Sequence, residues 1–294
     1  MTTIKPKKRA VGKKRGSLWA KTIIYFILTL TVISVIYPIY WIIIGSLNPG
    51  DSLNGTSLFP SHITFAHYVY LFTQTDYLIW FKNTLYVAVW TTLISTLLVI
   101  SSAYAMSRFR FKGRKQALLI LLILQGFPGF MGMIAMFTLL RQMTWFGPHG
   151  LLDSLWGLIL IYAGGNIPFN VWMIKGYFDS LPKSLEEAAK IDGASNTKIF
   201  FKIILPLAKP MIAFTAVLHF IGPWMDFIFP SLILQSSTKT TLAVGLYSMV
   251  TGMQNTQFST FAAGAVIVSL PITIVFLLFQ KQMTEGLTAG ANKG

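Results

Sequence analysis

Three features of the sequence predict an all-α integral membrane protein with six transmembrane helices: apolar runs too long for a soluble domain, sparse charge, and bases confined to alternate connections. Hydrophobic residues make up 54% of the 294 and charged residues 11%, with a mean hydropathy of +0.62. A net charge of +15 would suit a nucleic-acid partner in a soluble chain. Here the charges sit between apolar runs of spanning length, so no nucleic acid is expected and a lipid bilayer is. With no cysteine, disulfides, thiol catalysis and cysteine-based metal sites are excluded.

Residues 1–19 form a basic segment, with Lys5, Lys7, Lys8, Arg9, Lys13, Lys14 and Arg15, ahead of a six-span domain over 20–284. The first span is predicted over 20–47, and its apolar run continues through Tyr37, Pro38, Tyr40 and Trp41. A signal peptide's apolar core stops after about 7–15 residues, so a retained span is the better reading, kinked at Pro38. The polar stretch 48–82 follows, where His62 and His67 read as surface residues. A second span covers 83–107 and ends in Arg108, Arg110, Lys112, Arg114 and Lys115, without an acid among them. The third, over 116–140, carries Gly126, Phe127, Pro128 and Gly129 in its middle, and the fourth, over 154–174, is predicted to break at Gly164, Gly165, Asn166 and Pro168. Breakers at that depth survive only where protein or a water-filled cavity satisfies the freed backbone groups. The fifth span covers 207–234, a loop 235–259, the sixth span 260–280, and a short tail 285–294 closes the chain.

All but three of the 24 bases (Lys82, Arg141, Lys239) fall in the N-terminal segment, the connections after the second and fourth spans, and the tail, or at their edges, with Lys21 at the start of the first span and Lys281 just after the last. By the positive-inside rule these segments are cytoplasmic, which puts both termini inside the cell membrane of a multi-pass protein.

The connection 176–210 is polar and reads as a helical hairpin outside the lipid. Ser184 and Glu187 have capping-box spacing, Glu186 and Glu187 suit the positive end of a helix, and the first helix is predicted to start near Leu185. Gly193 is placed to end it in a left-handed turn. A second helix is expected after Ser195 or Asn196, with Ile199, Phe200, Ile203 and Ile204 in i, i+4 pairs.

Recognisable catalytic chemistry is absent: there is no phosphate-binding G-x-x-x-x-G-K-[ST], no H-E-x-x-H, and no helical pairing among the four histidines. Any ATP and magnesium would have to be bound by other polypeptides. Inside the apolar runs, Pro128, Asn166, Pro168, Trp224 and Asp226 are the candidates for a gate or path. Asp226, the only acid in such a run, reads equally as a capping residue at a helix break. His219 reads as a hydrogen bond to a neighbouring helix.

Glu187, Ala188 and Ala189, then Gly193, then Ile203, Leu205 and Pro206, resemble at the right spacing the EAA loop of permease subunits in ATP-binding cassette importers. Gly165, Asn166, Pro168, Phe169, Trp172, Lys175, Gly176, Phe178, Asp179 and Pro182 lead into it as they do in the carbohydrate uptake type I family, and the tail is similar to that of the smaller maltose/maltodextrin permease subunits. The resemblance implies a type I importer fold and alternating-access transport of an oligosaccharide, maltose- or maltodextrin-like. It implies as partners a second, non-identical permease, two ATPase subunits that carry the ATP hydrolysis, and an extracytoplasmic solute-binding protein. It also implies that Glu186, Glu187, Ala188, Ala189, Asp192, Gly193, Ile203, Leu205 and Pro206 form a coupling helix docked on an ATPase, and that Gly286, Leu287, Thr288, Ala289 and Gly290 reach the ATPases from the tail. An ion-gradient-driven secondary transporter, or an importer for another solute, is the alternative.

Overall fold

The computed structural model describes residues 18–50, 62–147, 149–251 and 257–291, with the backbone alone for 284–291. Every regular element among them is helical. α1 (Leu18–Ser46) matches the first predicted span and keeps Pro38 inside one helix; its side chains are exposed along most of their length, and it lies against the last helix. The short α2 (Ala66–Thr73) is pinned by His67, whose ring nitrogens lie 3.1 Å from Thr260 Oγ1 and 2.9 Å from the Asn48 carbonyl. His67 is therefore a buried tie between segments far apart in sequence, not the surface residue its polar surroundings predict.

α3 (Tyr77–Arg108) is the central helix of the fold, packed against the fourth and fifth predicted spans. At about 1.5 Å per residue its 32 residues extend roughly 48 Å. It begins six residues before the predicted span because Tyr77 is buried, with its hydroxyl donating to the Gly264 carbonyl at 3.1 Å. The third predicted span is broken as expected: α4 (Arg114–Gln125) and α5 (Met133–Gln142) are separated by Gly126–Pro128 and a short 3₁₀ turn, Gly129–Gly132.

The break predicted in the fourth span does not occur. α6 (Leu155–Ser180) runs unbroken through Gly164, Gly165, Asn166 and Pro168 and continues past residue 174. A helical proline deprives one carbonyl of its partner and fixes a φ that the helix already uses. Asn166 Nδ2 of this stretch donates to Ser95 Oγ of the neighbouring α3 at 3.2 Å, and within α6 Asn170 Nδ2 donates to the Asn166 carbonyl at 2.8 Å.

After α6 come α7 (Ser184–Ile191), α8 (Asn196–Ile199), a π-turn (Phe200–Ile204) and α9 (Leu205–Leu207). The chain then bends by 76° into α10 (Lys209–Met225). The fifth predicted span is two pieces, because the backbone becomes extended at Asp226 before α11 (Ile228–Ile233). The stretch 235–259, predicted as a loop, contains α12 (Leu242–Thr251), whose Leu242, Leu246 and Met249 are buried against α3, α10 and the last helix. Ten residues are too few to read as a span, yet one apolar face suffices to fold a helix onto a neighbour. α13 (Phe258–Ala291) outruns the predicted 260–280 at both ends.

Four helices, α1, α3, α6 and α13, are long and apolar enough to cross a membrane, and the described residues give up to five if the bent pair over 196–225 counts as one.

Candidate functional site

The hairpin between α6 and α10 is built from short-range rules, one of which differs from expectation. Ser184 does not cap α7: it is already inside the helix, Lys183 holds the N-cap position in helical conformation, and the Glu186 and Glu187 amides both bond to its carbonyl at 3.0 Å. Pro182 brings the chain in one residue early, so the predicted capping box does not form. The two glutamates still sit in the first turn, where the helix dipole favours them. At the other end Gly193 is left-handed, with φ +77°. Its amide bonds to the Lys190 carbonyl at 3.0 Å and the Ala194 amide to the Ala189 carbonyl at 2.9 Å, the bond pair of a Schellman motif.

The second arm follows its predicted cap: Ser195 Oγ accepts from the Lys198 amide at 3.3 Å. Ile199 and Ile204 are both fully buried, although five residues on a regular α-helix would set them about 140° apart. The π-turn at Phe200–Ile204 adds the extra residue that returns both to the same face. That face closes on Val99, Ile100 and Tyr104 of α3 and on Ile174 and Phe178 of α6.

Packing divides the predicted docking residues. Glu187, Ala188, Asp192, Gly193 and Pro206 are exposed, together with Ile191, which is 87% exposed and was not singled out from the sequence. Ala189, Ile203 and Leu205 are half-buried against the core of the hairpin. Glu186 is buried and faces inward. Its Oε1 accepts from Arg108 Nε at 2.5 Å; Arg108 Nη1 donates to Ser107 Oγ at 3.0 Å, and Ser107 Oγ donates to Asp179 Oδ1 at 2.5 Å. Lys175 Nζ lies 2.5 Å from Asp179 Oδ2. This chain joins α3, α6 and α7. Sequence reading assigned Arg108 to topology alone.

The path candidates are not brought to one place. Pro128 is exposed in the α4–α5 break, while Asn166 and Pro168 lie half-buried on α6. Asp226 caps α11, accepting from the Ile228 amide at 2.8 Å through Oδ1, and its Oδ2 accepts from the Tyr162 hydroxyl at 2.8 Å. Trp224 is buried between Phe81 and Phe220, at centroid distances of 5.3 and 5.8 Å. His219 Nδ1 lies 3.2 Å from Thr96 Oγ1 on α3, the interhelical contact expected of it. The backbone of 286–290 continues α13, and 292–294 lie outside the described residues.

At the end opposite the hairpin, Asp153 fastens the start of α6 to the segment after α11. Its carboxylate accepts from the Gln235 and Ser236 amides at 2.9 and 3.0 Å, from Ser236 Oγ at 2.5 Å and from Lys239 Nζ at 3.1 Å. Partial burial pushes this carboxyl up, but the Ser236, Gln235 and Lys239 donors outweigh it and hold it well below the usual carboxylate range. A cleft of about 880 Å³ lies alongside, lined by Phe146, Trp156, Leu160, Ser236 and Lys239 among others.

A sequence model of binding-protein-dependent transport system inner membrane components matches residues 95–285. The galactooligosaccharide transport system permease protein GanQ of Bacillus subtilis (strain 168) is 45% identical over 273 residues, covering 92% of this chain and 94% of its own. The maltodextrin transport system permease protein MdxG of the same strain is 39% identical over 270 residues, covering 92% and 95%. Among solved structures, a chain of a bacterial ABC transporter involved in the import of the acidic polysaccharide alginate superposes with a TM-score of 0.76 at 26% identity, covering 91% of this chain and 97% of its own.

Proposed function

The chain belongs to the family of binding-protein-dependent transport system inner membrane components, and from that premise we propose that it is one half of the translocation path of an oligosaccharide importer. It is a membrane-embedded permease of the sugar-importing ABC type. In this reading it crosses the membrane six times, as α1, α3, α4 with α5, α6, α10 with α11, and α13, with both termini and the hairpin in the cytoplasm of a bacterium. The substrate is a neutral oligosaccharide of hexoses, galacto- or gluco-linked, as the names of its relatives suggest. The partners are a second, non-identical permease, two ATPases that bind ATP and magnesium, and an extracytoplasmic solute-binding protein.

The observation that carries the coupling is the exposed ridge of α7. Ala188 and Ile191 offer apolar surface between Glu187 and Asp192, on a helix held from behind by the Glu186–Arg108 pair to α3 and by Ala189 at the edge of the core that α3, α6 and the second arm share. Small and apolar residues let a helix axis approach a partner closely, and the packed back face transmits a push as a rigid body. ATP-driven closure of the partner subunits moves this ridge, and α3 and α6 follow, opening and closing the path in turn. The tail after residue 285 is read as a second contact with the same ATPases.

The test is uptake by proteoliposomes holding this chain with its permease, ATPase and binding-protein partners, loaded with ATP and offered labelled galacto- and malto-oligosaccharides separately. Uptake that requires internal ATP and the binding protein is expected. Uptake driven by an ion gradient without ATP would replace this reading with a secondary transporter.

A further inference from the structure

We propose that Arg108 is a two-position relay, bonded to Glu186 when α7 lies against α3 and to Asp179 when α7 moves away. The inference rests on α7 being the docking helix. It concerns how displacement of that helix is read by the membrane helices.

The Arg108 and Glu186 side chains are 7% and 10% exposed. Burying an ion pair costs desolvation that its attraction barely returns, so such a pair is weak evidence of stability; separating it without replacement leaves a charge stranded. Here a replacement is prepared. Ser107 Oγ stands between Arg108 and Asp179, accepting from the first at 3.0 Å and donating to the second at 2.5 Å. Arg108 Nη2 is buried and has no hydrogen-bond partner in the present arrangement. The guanidinium thus bonds Glu186 directly and reaches Asp179 through the Ser107 hydroxyl, with a spare donor.

The charges set the two positions. Arg108 and Lys175 face Glu186 and Asp179, two of each sign. When Glu186 leaves with α7, the two cations share Asp179, one on each carboxylate oxygen, and the guanidinium displaces the Ser107 hydroxyl. A planar fork can hold either carboxylate; an ammonium on a flexible stem could not hold the same geometry. Glu186 is also the residue next to Glu187, so adjacent positions of one helix turn face inward to the relay and outward to the partner. The Schellman turn and the shared apolar core keep the hairpin rigid between them.

The experiment uses the full complex with its ATPases and binding protein. Glu186→Gln keeps the shape and removes the charge. It should leave assembly unchanged and lower the ratio of binding-protein-stimulated to basal ATP hydrolysis by about tenfold, the scale of a typical coupling energy. The exchange Arg108→Glu with Glu186→Arg should not restore the ratio, because a glutamate at 108 repels Asp179 and the second position is lost; restoration would mark a fixed pair and overturn the relay, and Arg108→Lys should lower the ratio as Glu186→Gln does. A merely structural pair would instead lower assembly and both hydrolysis rates together, leaving the ratio intact, and that result would overturn the relay. If the exchange does not assemble, the Glu186→Gln ratio decides. In parallel, Asp192→Cys in this cysteine-free chain is tested for cross-linking to an ATPase subunit. A cross-link with an unchanged Glu186→Gln ratio overturns the relay and leaves docking standing; no cross-link overturns the docking reading and the relay with it.

Discussion

Replacing Gly193 with valine isolates the turn between the two arms of the hairpin. The residue has φ +77°, is exposed, and a Cβ built on it meets nothing within 4 Å. Valine would therefore clash with no neighbour, and the whole cost is the left-handed backbone, about 1–2 kcal/mol for an ordinary residue and more for a β-branched one. Two bonds depend on that conformation, from the Gly193 and Ala194 amides to the Lys190 and Ala189 carbonyls. A penalty of about 1.4 kcal/mol lowers the occupancy of the native turn relative to its alternatives tenfold. Gly193→Asn is the control, because asparagine tolerates the left-handed region, and it should lose much less. The assay is ATP hydrolysis by the reconstituted complex with and without sugar-loaded binding protein, at matched complex levels. Gly193→Val should lose most of the stimulation and keep its membrane insertion. Full stimulation by Gly193→Val would refute the assignment of this turn to coupling.

At Gly245 on α12 a Cβ would overlap the Trp80 ring of α3, so Gly245→Ala should lower the melting temperature of the purified protein by overpacking worth about 1–3 kcal/mol, while Gly164→Ala, with open space around it, should not. Asp153→Asn removes the charge that binds Gln235, Ser236 and Lys239 and should cost about 1 kcal/mol, since the side chain is partly exposed. Because the folded carboxyl titrates below its unfolded value of about 3.9, the stability difference from the parent should be constant from pH 8 to 5 and shrink only below pH about 4; a difference that closes between pH 7 and 5 would contradict it. Single cysteines at the exposed Ser237 and Thr197 test the orientation: Ser237→Cys should react with an impermeant thiol reagent in intact cells and Thr197→Cys should not.

What could be read in the sequence was what local chemistry decides. Gly193 was legible because one residue type dominates the conformation it adopts, and the α4–α5 break because Gly126, Pro128 and Gly129 fall within four residues. Gly164, Gly165 and Pro168 look the same in sequence, yet α6 is continuous. That stretch packs along α3, where Asn166 bonds to Ser95, and the identity of that neighbour is tertiary information. At Asp226 the reading of a capping residue at a helix break holds, while the phenol of Tyr162 on its second oxygen, 64 residues away, was not legible.

Arg108 carries the point furthest. In the chain it is the first of five bases after a span, and the rule that bases mark the cytoplasmic side accounts for it without remainder. In space it differs from the others: Arg110, Lys112 and Lys115 are exposed, while Arg108 is drawn under α7 to a glutamate 78 residues later. Topology selects a base at the end of α3 and is indifferent to which position holds it. Only the tertiary placement of α7 beside the end of α3 puts the charge nearest the helix where it meets Glu186, so the residue best explained by a bulk rule is also the one where that explanation hid a specific contact. Asp179 is a second case: besides its i, i+4 pair with Lys175 within α6, its other oxygen accepts from the Ser107 hydroxyl of another helix.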